Sequence, residues 1–535
     1  MQTTTAADAI AAGLASLGVR RMFGMPGGGS SLDLIVAAER QGIAFTLARQ
    51  ESGAMFMAAA AAEVSGRPSV VLVTRGPGVA ASVTGLAHAD LDRCPVLLVS
   101  DGFTPGQRRY VTHQVIDHGA IAAPLVRGRA IAEGPDAATC LARLAAAMEG
   151  PCRGPALLEI TDEATRVQAA PAAITTPPTA APPREAVEQA RRLLSGAQRP
   201  AIIAGLEARD AAPELRTLAR ALGAPVFVTY KAKGVVGDAD GLFAGVFTGG
   251  AAEAALLAEA DLILLAGADP VEFIPQRWRY PAPVIDIARF PRSPHYVTPA
   301  ADLIGDVGAS LAALAPEARP SEWSPGRIAA SVSAWRGALA TRANGPRPAP
   351  SEVVTIAADA ARAASINPRV TVDAGAHMFS ATSFWPAREP NDLLISNGLA
   401  TMGFALPAAI GAALAEPGRR TVAFTGDGGL MMCLGEIATA VENRLPIVVV
   451  VFNDGRLSLI ELKKAGRPVP DESLGWAHPG FAEVARGLGC RGATVETAES
   501  YRAALDEAFA QDGPSVIDVR IDPSAYPAQI AAIRG

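Results

Sequence analysis

Short, wholly apolar runs alternate along the entire chain with longer stretches in which alanine and leucine recur at helical spacing. Runs at 43–47, 69–73 and 96–99 predict strands in the first part, with helices over 51–64 and 78–91. Runs at 201–204, 226–228, 262–266 and 284–287 predict strands in the middle, and 370–372, 393–395, 422–424, 447–452 and 515–519 in the last part. A run that is apolar at every position suits a strand buried on both faces. Strand, helix, strand in succession therefore predicts parallel sheets covered by helices on both sides. Two proline-rich stretches interrupt the pattern: 169–184, with Pro171, Pro177, Pro178, Pro182 and Pro183, and 340–350, with Pro346, Pro348 and Pro350. Clustered prolines remove donors and stiffen the backbone, so both read as linkers. They leave three blocks, 1–168, 185–338 and 351–535, each expected to form a doubly wound α/β domain. Loops leaving the carboxyl ends of such strands are where ligands are expected.

Composition narrows the partners. Half of the 535 residues are hydrophobic and 19% are charged, enough apolar material for several cores and too little charge for a disordered chain. Lys+Arg is 47 against Asp+Glu 53, a net charge of −6, and only Lys231, Lys233, Lys463 and Lys464 are lysines, so no nucleic-acid partner is expected. Cys94, Cys140, Cys152, Cys433 and Cys490 form no C-x-x-C pair and read as reduced packing residues rather than a zinc site. The stretch 1–18 carries Asp8 and no basic region, so it reads as a helix capped within Thr3–Thr5, not a secretory leader. The longest apolar stretches, 403–415 and 445–452, fall short of the roughly 18 residues of a membrane helix. A soluble, cytoplasmic protein without a membrane partner is expected.

The sharpest candidate chemistry is Thr425-Gly426-Asp427-Gly428-Gly429 at the end of strand 422–424, followed by a helix to about 443, strand 447–452 and Asn453-Asp454-Gly455. One strand-helix-strand unit consumes the interval from Asp427 to Asp454, so both acids should emerge side by side at one sheet edge. Glycines permit tight turns that aim N–H groups at an anion, and oxygen ligands from two neighbouring loops would hold a hard divalent cation bridging to phosphate. Two ordinary strand-to-helix turns are the plain alternative.

The spacing of Gly426-Asp427-Gly428 and Asn453-Asp454 resembles the thiamin-diphosphate motif, and the sequence is similar to the acetolactate-synthase branch of that family over essentially the whole chain. The resemblance implies Mg²⁺ at Asp427, Asp454 and Arg456, with Gly426, Gly428 and Gly429 at the cofactor's diphosphate. The run 397–409 resembles the family's segment beneath the thiazolium ring. Met402 would there bend the cofactor, and Ala400, where the family often has Gly, would present its carbonyl to the aminopyrimidine. Gly375, Ala376 and His377 match the segment that serves the diphosphate. Glu51, in Arg49-Gln50-Glu51-Ser52-Gly53-Ala54, matches the activating glutamate. A carboxyl bonded to the pyrimidine ring stabilises the imino tautomer that removes the reactive proton. By itself Glu51 is a carboxylate favoured at a helix N-terminus. In the family Glu51 and Asp427 meet across a subunit interface, which implies a homodimer at least and, on the family's pattern, a homotetramer. The three blocks then correspond to pyrimidine-binding, central Rossmann-like and diphosphate-binding domains.

Three further segments match the family's substrate side. Met25-Pro26-Gly27-Gly28-Gly29-Ser30 resembles its Pro-Gly-Gly loop, with Gly28 toward the substrate. His113 and Gln114 stand where acetolactate synthases have Phe-Gln and resemble a benzaldehyde-lyase stretch equally well. Gln114 suits a substrate carbonyl or hydroxyl or is a surface amide, and His113 is a proton donor or a half-buried ring. Thr74-Arg75-Gly76-Pro77-Gly78 carries Arg75 where a synthase usually has Ser, suited to a carboxylate or to a structural salt bridge. Ile460 replaces the catalytic Glu of pyruvate decarboxylase, which favours carboligation over simple decarboxylation. The stretch after Lys463 and Lys464, to about Gly475, reads as a segment that closes over substrate. The Arg-Phe-Asp-Asp-like segment of the FAD-binding synthases is missing from 267–273, so no FAD is expected. The expected activity is a decarboxylase and carboligase acting on a 2-oxo acid and an aldehyde or ketone acceptor. A lyase or decarboxylase of aromatic substrates, like benzaldehyde lyase or benzoylformate decarboxylase, is the alternative. A non-catalytic relative would have lost Glu51 or Asp427, and both are present.

Overall fold

The computed structural model describes residues 4–534 apart from 177, 274, 276, 294 and 465, so Thr3 and Pro177 lie outside the described residues. The chain packs as two compact units, one of Met1–Pro178, Leu406–Gly418 and Cys433–Leu445, the other of Thr179–Ala405, Arg419–Met432 and Pro446–Gly535.

The first unit holds a six-stranded parallel sheet of β1 (Arg21–Met25), β2 (Ala44–Leu47), β3 (Ser69–Val73), β4 (Val96–Asp101), β5 (Gly128–Ala132) and β6 (Ala156–Ile160), in the order 2-1-3-4-6-5. Met22, Val70, Leu72, Leu97 and Leu158 pack on Ile10, Leu14 and Leu141 of the covering helices. The first helix, Ala6–Ser16, is capped by Thr5 with Asp8 reciprocating.

The second unit holds two more parallel sheets. One comprises β7 (Pro200–Ala204), β8 (Val226–Val228), β9 (Phe243–Val246), β10 (Leu262–Ala266), β11 (Val284–Ala288) and β12 (Ala301–Ile304), in the order 12-11-10-7-8-9. Counted within the sheet this is the 3-2-1-4-5-6 order of dinucleotide-binding folds. The other comprises β13 (Arg369–Val372), β14 (Leu393–Ile395), β15 (Thr421–Gly426), β16 (Ile447–Asn453), β17 (Arg491–Val495) and β18 (Ser515–Arg520), in the order 14-13-15-16-18-17. Its internal order is that of the first sheet.

Every strand predicted from an apolar run is present within about two residues. The strands without such a run include β5, β12 and β17, all at sheet edges and partly exposed. An edge strand buries little and needs no continuous apolar run. Two predicted helices are divided. The span 78–91 breaks at Ser82, whose hydroxyl donates to the Gly78 carbonyl at 2.7 Å. The span after Gly429 becomes Asp427–Met431 and Glu436–Glu442, because residues from Cys433 onward belong to the first unit, where Gly435 lies against Arg49. Among the described residues no helix is long and apolar enough to cross a membrane.

Candidate active site

At the switch point between β13 and β15, where the chain connections leave in opposite directions, the loops after β13, β15 and β16 converge. They line a cavity of about 490 Å³ whose walls include Gly375, Ala376, His377, Ala400, Met402, Gly426, Asp427, Gly428, Gly429, Asp454 and Arg456. Asp427 is buried; its Oδ1 accepts from the Gly428 N–H and its Oδ2 from the Gly455 N–H, each at 2.7 Å, which ties the two loops together. Asp454 accepts from the Arg456 N–H at 3.2 Å and from the Ser458 hydroxyl. Burial, and then the charge of Asp454, push the Asp427 carboxyl up to about 7, and burial raises Asp454 as well. Two mutually repelling carboxylates, one buried and one half-buried, are the donor set that a hard dication neutralises. Asn453 is turned away: its amide donates to Asp518 Oδ1 at 2.8 Å and its oxygen meets His478 Nδ1 at 2.8 Å. The Arg456 guanidinium is engaged by Glu461 at 2.7 Å and Asp471 at 3.2 Å, so its main-chain carbonyl is its one group suited to a cation.

His377 stacks on Phe452 with ring centroids 5.1 Å apart, and burial pushes it down to about 3, so the ring is neutral. Its buried Nε2 has no hydrogen-bond partner among the described residues, an open position on the cavity wall for a ligand group. Gly375 makes this placement possible, since a Cβ there would stand 2.7 Å from the ring. Asp373 organises the remaining wall: fully buried, it accepts from the N–H groups of Gly403 (3.1 Å), Phe404 (2.6 Å) and Ala405 (2.7 Å) and from the Thr425 hydroxyl (2.7 Å). A side chain at Gly429 would strike this carboxylate, at 2.1 Å. Met402 reaches over Gly428, and Ala400 holds a left-handed φ of 52°, the conformation that favours glycine.

In the first unit the equivalent crevice, between β1 and β3, opens into a cavity of about 310 Å³ that brings Gly28, Gly29, Arg75, Phe103, His113 and Gln114 together. The three predicted segments therefore converge. A Cβ at Gly27 would stand 2.0 Å from Asp101 and one at Gly29 2.0 Å from Asp162, whereas one at Gly28 would meet nothing within 4 Å. His113 and Gln114 are exposed, and Gln114 has a φ of 60°. Glu51 begins the helix Glu51–Ser65 after β2 and is half-buried. The N–H groups just before it, of Arg49 and Gln50, donate to Glu436 Oε1 at 2.9 and 3.2 Å.

Three family models match the chain in succession: thiamine pyrophosphate enzyme, N-terminal TPP binding domain, over residues 4–121; central domain, over 187–314; and C-terminal TPP binding domain, over 373–519. The acetolactate synthase isozyme 1 large subunit of Escherichia coli is 30% identical over 97% of this chain and 94% of its own. The chain belongs to the thiamine pyrophosphate enzyme family. A second relative of this enzyme, the probable 2-ketoarginine decarboxylase AruI of Pseudomonas aeruginosa, is also 30% identical, over 97% of this chain and 94% of its own. The solved thiamine diphosphate-dependent 4-hydroxybenzoylformate decarboxylase of Rhodococcus jostii RHA1 superposes with a TM-score of 0.82 over 97% of this chain and 99% of its own, at 21% identity, a likeness of fold.

Three side chains for which the sequence predicts no role position the thiamine pyrophosphate enzyme's two cavities. Asp373 holds the segment around Met402, and Glu436 holds the start of the Glu51 helix. His118 accepts from the Gly76 N–H at 2.9 Å and therefore carries its proton on Nδ1, which donates to Glu159 at 2.9 Å. Each acts on backbone far away in the sequence, so no local pattern announces it. In the central sheet the switch point is filled by the chain itself. A Cβ at Gly205 would lie 2.2 Å from the Ala268 Cα, and Glu272 accepts from Leu206 N–H at 2.8 Å and Asp269 N–H at 3.0 Å. Buried Arg292 pairs there with Glu207 at 2.8 Å and Asp269 at 3.0 Å.

Proposed function

We propose that the enzyme binds thiamin diphosphate through Mg²⁺ and uses it to decarboxylate a 2-oxo acid and join the remaining acyl group to a carbonyl acceptor. The observation that carries this reading is the facing pair Asp427 and Asp454 in one buried cavity with the open Nε2 of His377. Asp427, Asp454 and the Arg456 carbonyl would hold the cation, and Gly375, Ala376, His377 and Gly426 to Gly429 would surround the diphosphate. Met402 and the Ala400 carbonyl would hold the ring portion. The cofactor, when bound, supplies a nucleophilic carbon and an electron sink.

The chain's own residues do the rest. Glu51, supplied by a second copy in a homodimer or homotetramer, holds a proton at the pyrimidine ring. Gln114 and His113 face the substrate's oxygen, and Gly28 leaves room for it. Ile460 lines the larger cavity and offers no carboxyl, which supports ligation rather than release of an aldehyde. The filled switch point of the central sheet supports a domain without FAD. A cytoplasmic location follows the same reading.

Purified enzyme stripped by a chelator and dialysis should lose activity and regain it only with thiamin diphosphate and Mg²⁺ together. Full activity after stripping refutes the reading. Mass-spectrometric product analysis with pyruvate, benzoylformate and benzoin separates the two chemistries, since acetolactate forms only in the synthase reading.

A further inference from the structure

We propose that Arg75 sets substrate specificity in the smaller cavity by anchoring a carboxylate that the substrate keeps throughout the reaction; this rests on the function proposed above. The Arg75 side chain is only 20% exposed and lies on the cavity wall. Its guanidinium carbon lies over the Phe103 ring, 4.6 Å from the centroid. Asp162 Oδ1 forms an ion pair with the guanidinium at 3.8 Å, beyond hydrogen-bond reach, and accepts from the Ser30 N–H at 2.8 Å. In the other acid of the cavity, Asp101, Oδ1 accepts from the Ser30 hydroxyl, the Ser31 N–H at 3.0 Å and the Ser31 hydroxyl at 2.9 Å. The guanidinium makes no hydrogen bond to any described residue. A largely buried guanidinium beside a cavity, with its acid partner at ion-pair rather than hydrogen-bond distance, is suited to bind a carboxylate.

The surroundings are built to hold that guanidinium still. The Glu159 to His118 to Gly76 relay pins the turn that carries Arg75, and Gly76 takes a φ of 69°. Gln114, also on the cavity wall, stays in a left-handed conformation at φ 60°, backbone strain of the kind that accumulates at binding sites. Asp101 and Asp162 on the same wall would repel a dianionic phosphate, so one planar carboxylate fits better.

The anchored carboxylate is not the one that leaves. A carboxylate departing as neutral CO₂ would lose its ion pair as the barrier is climbed, so binding it would stabilise the ground state more than the transition state. A carboxylate that persists is bound equally in both. It belongs either to the acceptor, if that is itself a 2-oxo acid, or to the far end of a dicarboxylic donor.

The test pairs each substrate with a counterpart lacking the persistent carboxylate: 2-oxoglutarate with 2-oxopentanoate as donors, which share the departing carboxylate, and pyruvate with 2,3-butanedione as acceptors. With cofactor and Mg²⁺ added, Arg75→Gln should lower kcat/KM roughly 10- to 100-fold for the first member of one pair, through KM, and leave the counterpart unchanged. Arg75→Lys should restore part of the loss. A loss confined to 2-oxoglutarate assigns the far carboxylate, and one confined to pyruvate assigns the acceptor. Equal effects on both members of a pair, or none, overturn the proposal. Calorimetric binding of glutarate and of pyruvate to cofactor-free enzyme gives an independent reading: one of them should bind the wild type and bind Arg75→Gln at least tenfold more weakly. Binding of neither, or equal binding, overturns the proposal. A wild type that binds one of them yet turns over nothing refutes the proposed function and leaves Arg75 its role.

Discussion

The first and third sheets share one internal strand order, and both open a cavity at the switch point beside their leading strand. Their chemistry is opposite. The third sheet's crevice presents two carboxylates whose pKa values burial raises, and an imidazole nitrogen with no hydrogen-bond partner among the described residues. The first sheet's crevice gives its acids serine and backbone donors and holds an arginine paired with Asp162 only at 3.8 Å. The central sheet makes a third case, since its equivalent crevice is plugged by Glu272, Arg292 and the contact of Gly205 with Ala268. Topology thus decides where a site can form. What forms there depends on whether buried charges are satisfied by the chain itself or left for a ligand.

The sharpest way to break the comparison is to disable each outer crevice separately. Glu51→Gln and Asp427→Asn should each lower turnover about 10²–10⁴-fold. If the two regions come from different copies, mixing the two inactive variants and allowing subunit exchange should restore about a quarter of wild-type activity. No recovery, with exchange verified, places both residues of each site in one chain.

The buried carboxylates that organise the two backbones should differ in effect. Asp373→Asn turns one oxygen, which accepts from two of the four donors, into an NH₂ and should destabilise by about 3–5 kcal/mol in denaturant titration. Glu436→Gln disturbs two backbone donors and the Thr439 hydroxyl and should lose about 1–3 kcal/mol, with lower turnover because the helix of Glu51 is released.

The plugged central crevice should show itself in pH dependence. Burial pushes Glu272 up to about 7 from an ordinary value of 4.5. Between those values the folded state holds a proton that the unfolded state has lost, so this group's contribution is full below about 4.5 and falls as pH rises to 7. Glu272→Gln should therefore gain stability relative to wild type over that window, by roughly 3 kcal/mol at most, read as a flattened profile of unfolding free energy against pH. A profile parallel to wild type removes the explanation.

The smallest effects compare the two loop floors. Gly28→Ala should change stability by less than about 0.5 kcal/mol, because only the cavity faces it, while altering KM. Ala400→Gly should shift stability by no more than about 1 kcal/mol, relief of a left-handed alanine being offset by backbone entropy. Melting curves and substrate titrations check both.

Much of this architecture is legible in the chain. Buried parallel strands need apolar residues at every position, so the central strands appear as continuous runs, whereas edge strands such as Arg491–Val495 do not. Asp427, Asp454, Glu51, Met402 and the glycine loops are local motifs, because turning backbone tightly around an anion or cation demands particular residues at fixed spacing. Asn453 shows the limit: it belongs to the same motif, yet it is spent on Asp518 and His478. The break of the helix after Gly429 shows another, since the residues beyond it pack with the first unit.

The amino-acid sequence alone determined three parallel α/β sheets, their order along the chain and the residue types at the carboxyl edges, because these follow from local patterning and turn chemistry. Only tertiary structure decided which charges are satisfied. Glu436, Asp373 and His118 bond backbone dozens to hundreds of residues away, and Arg75 meets Asp162 only at ion-pair distance. Such pairings depend on which loops the fold brings within hydrogen-bond distance, and no spacing along the chain encodes that distance.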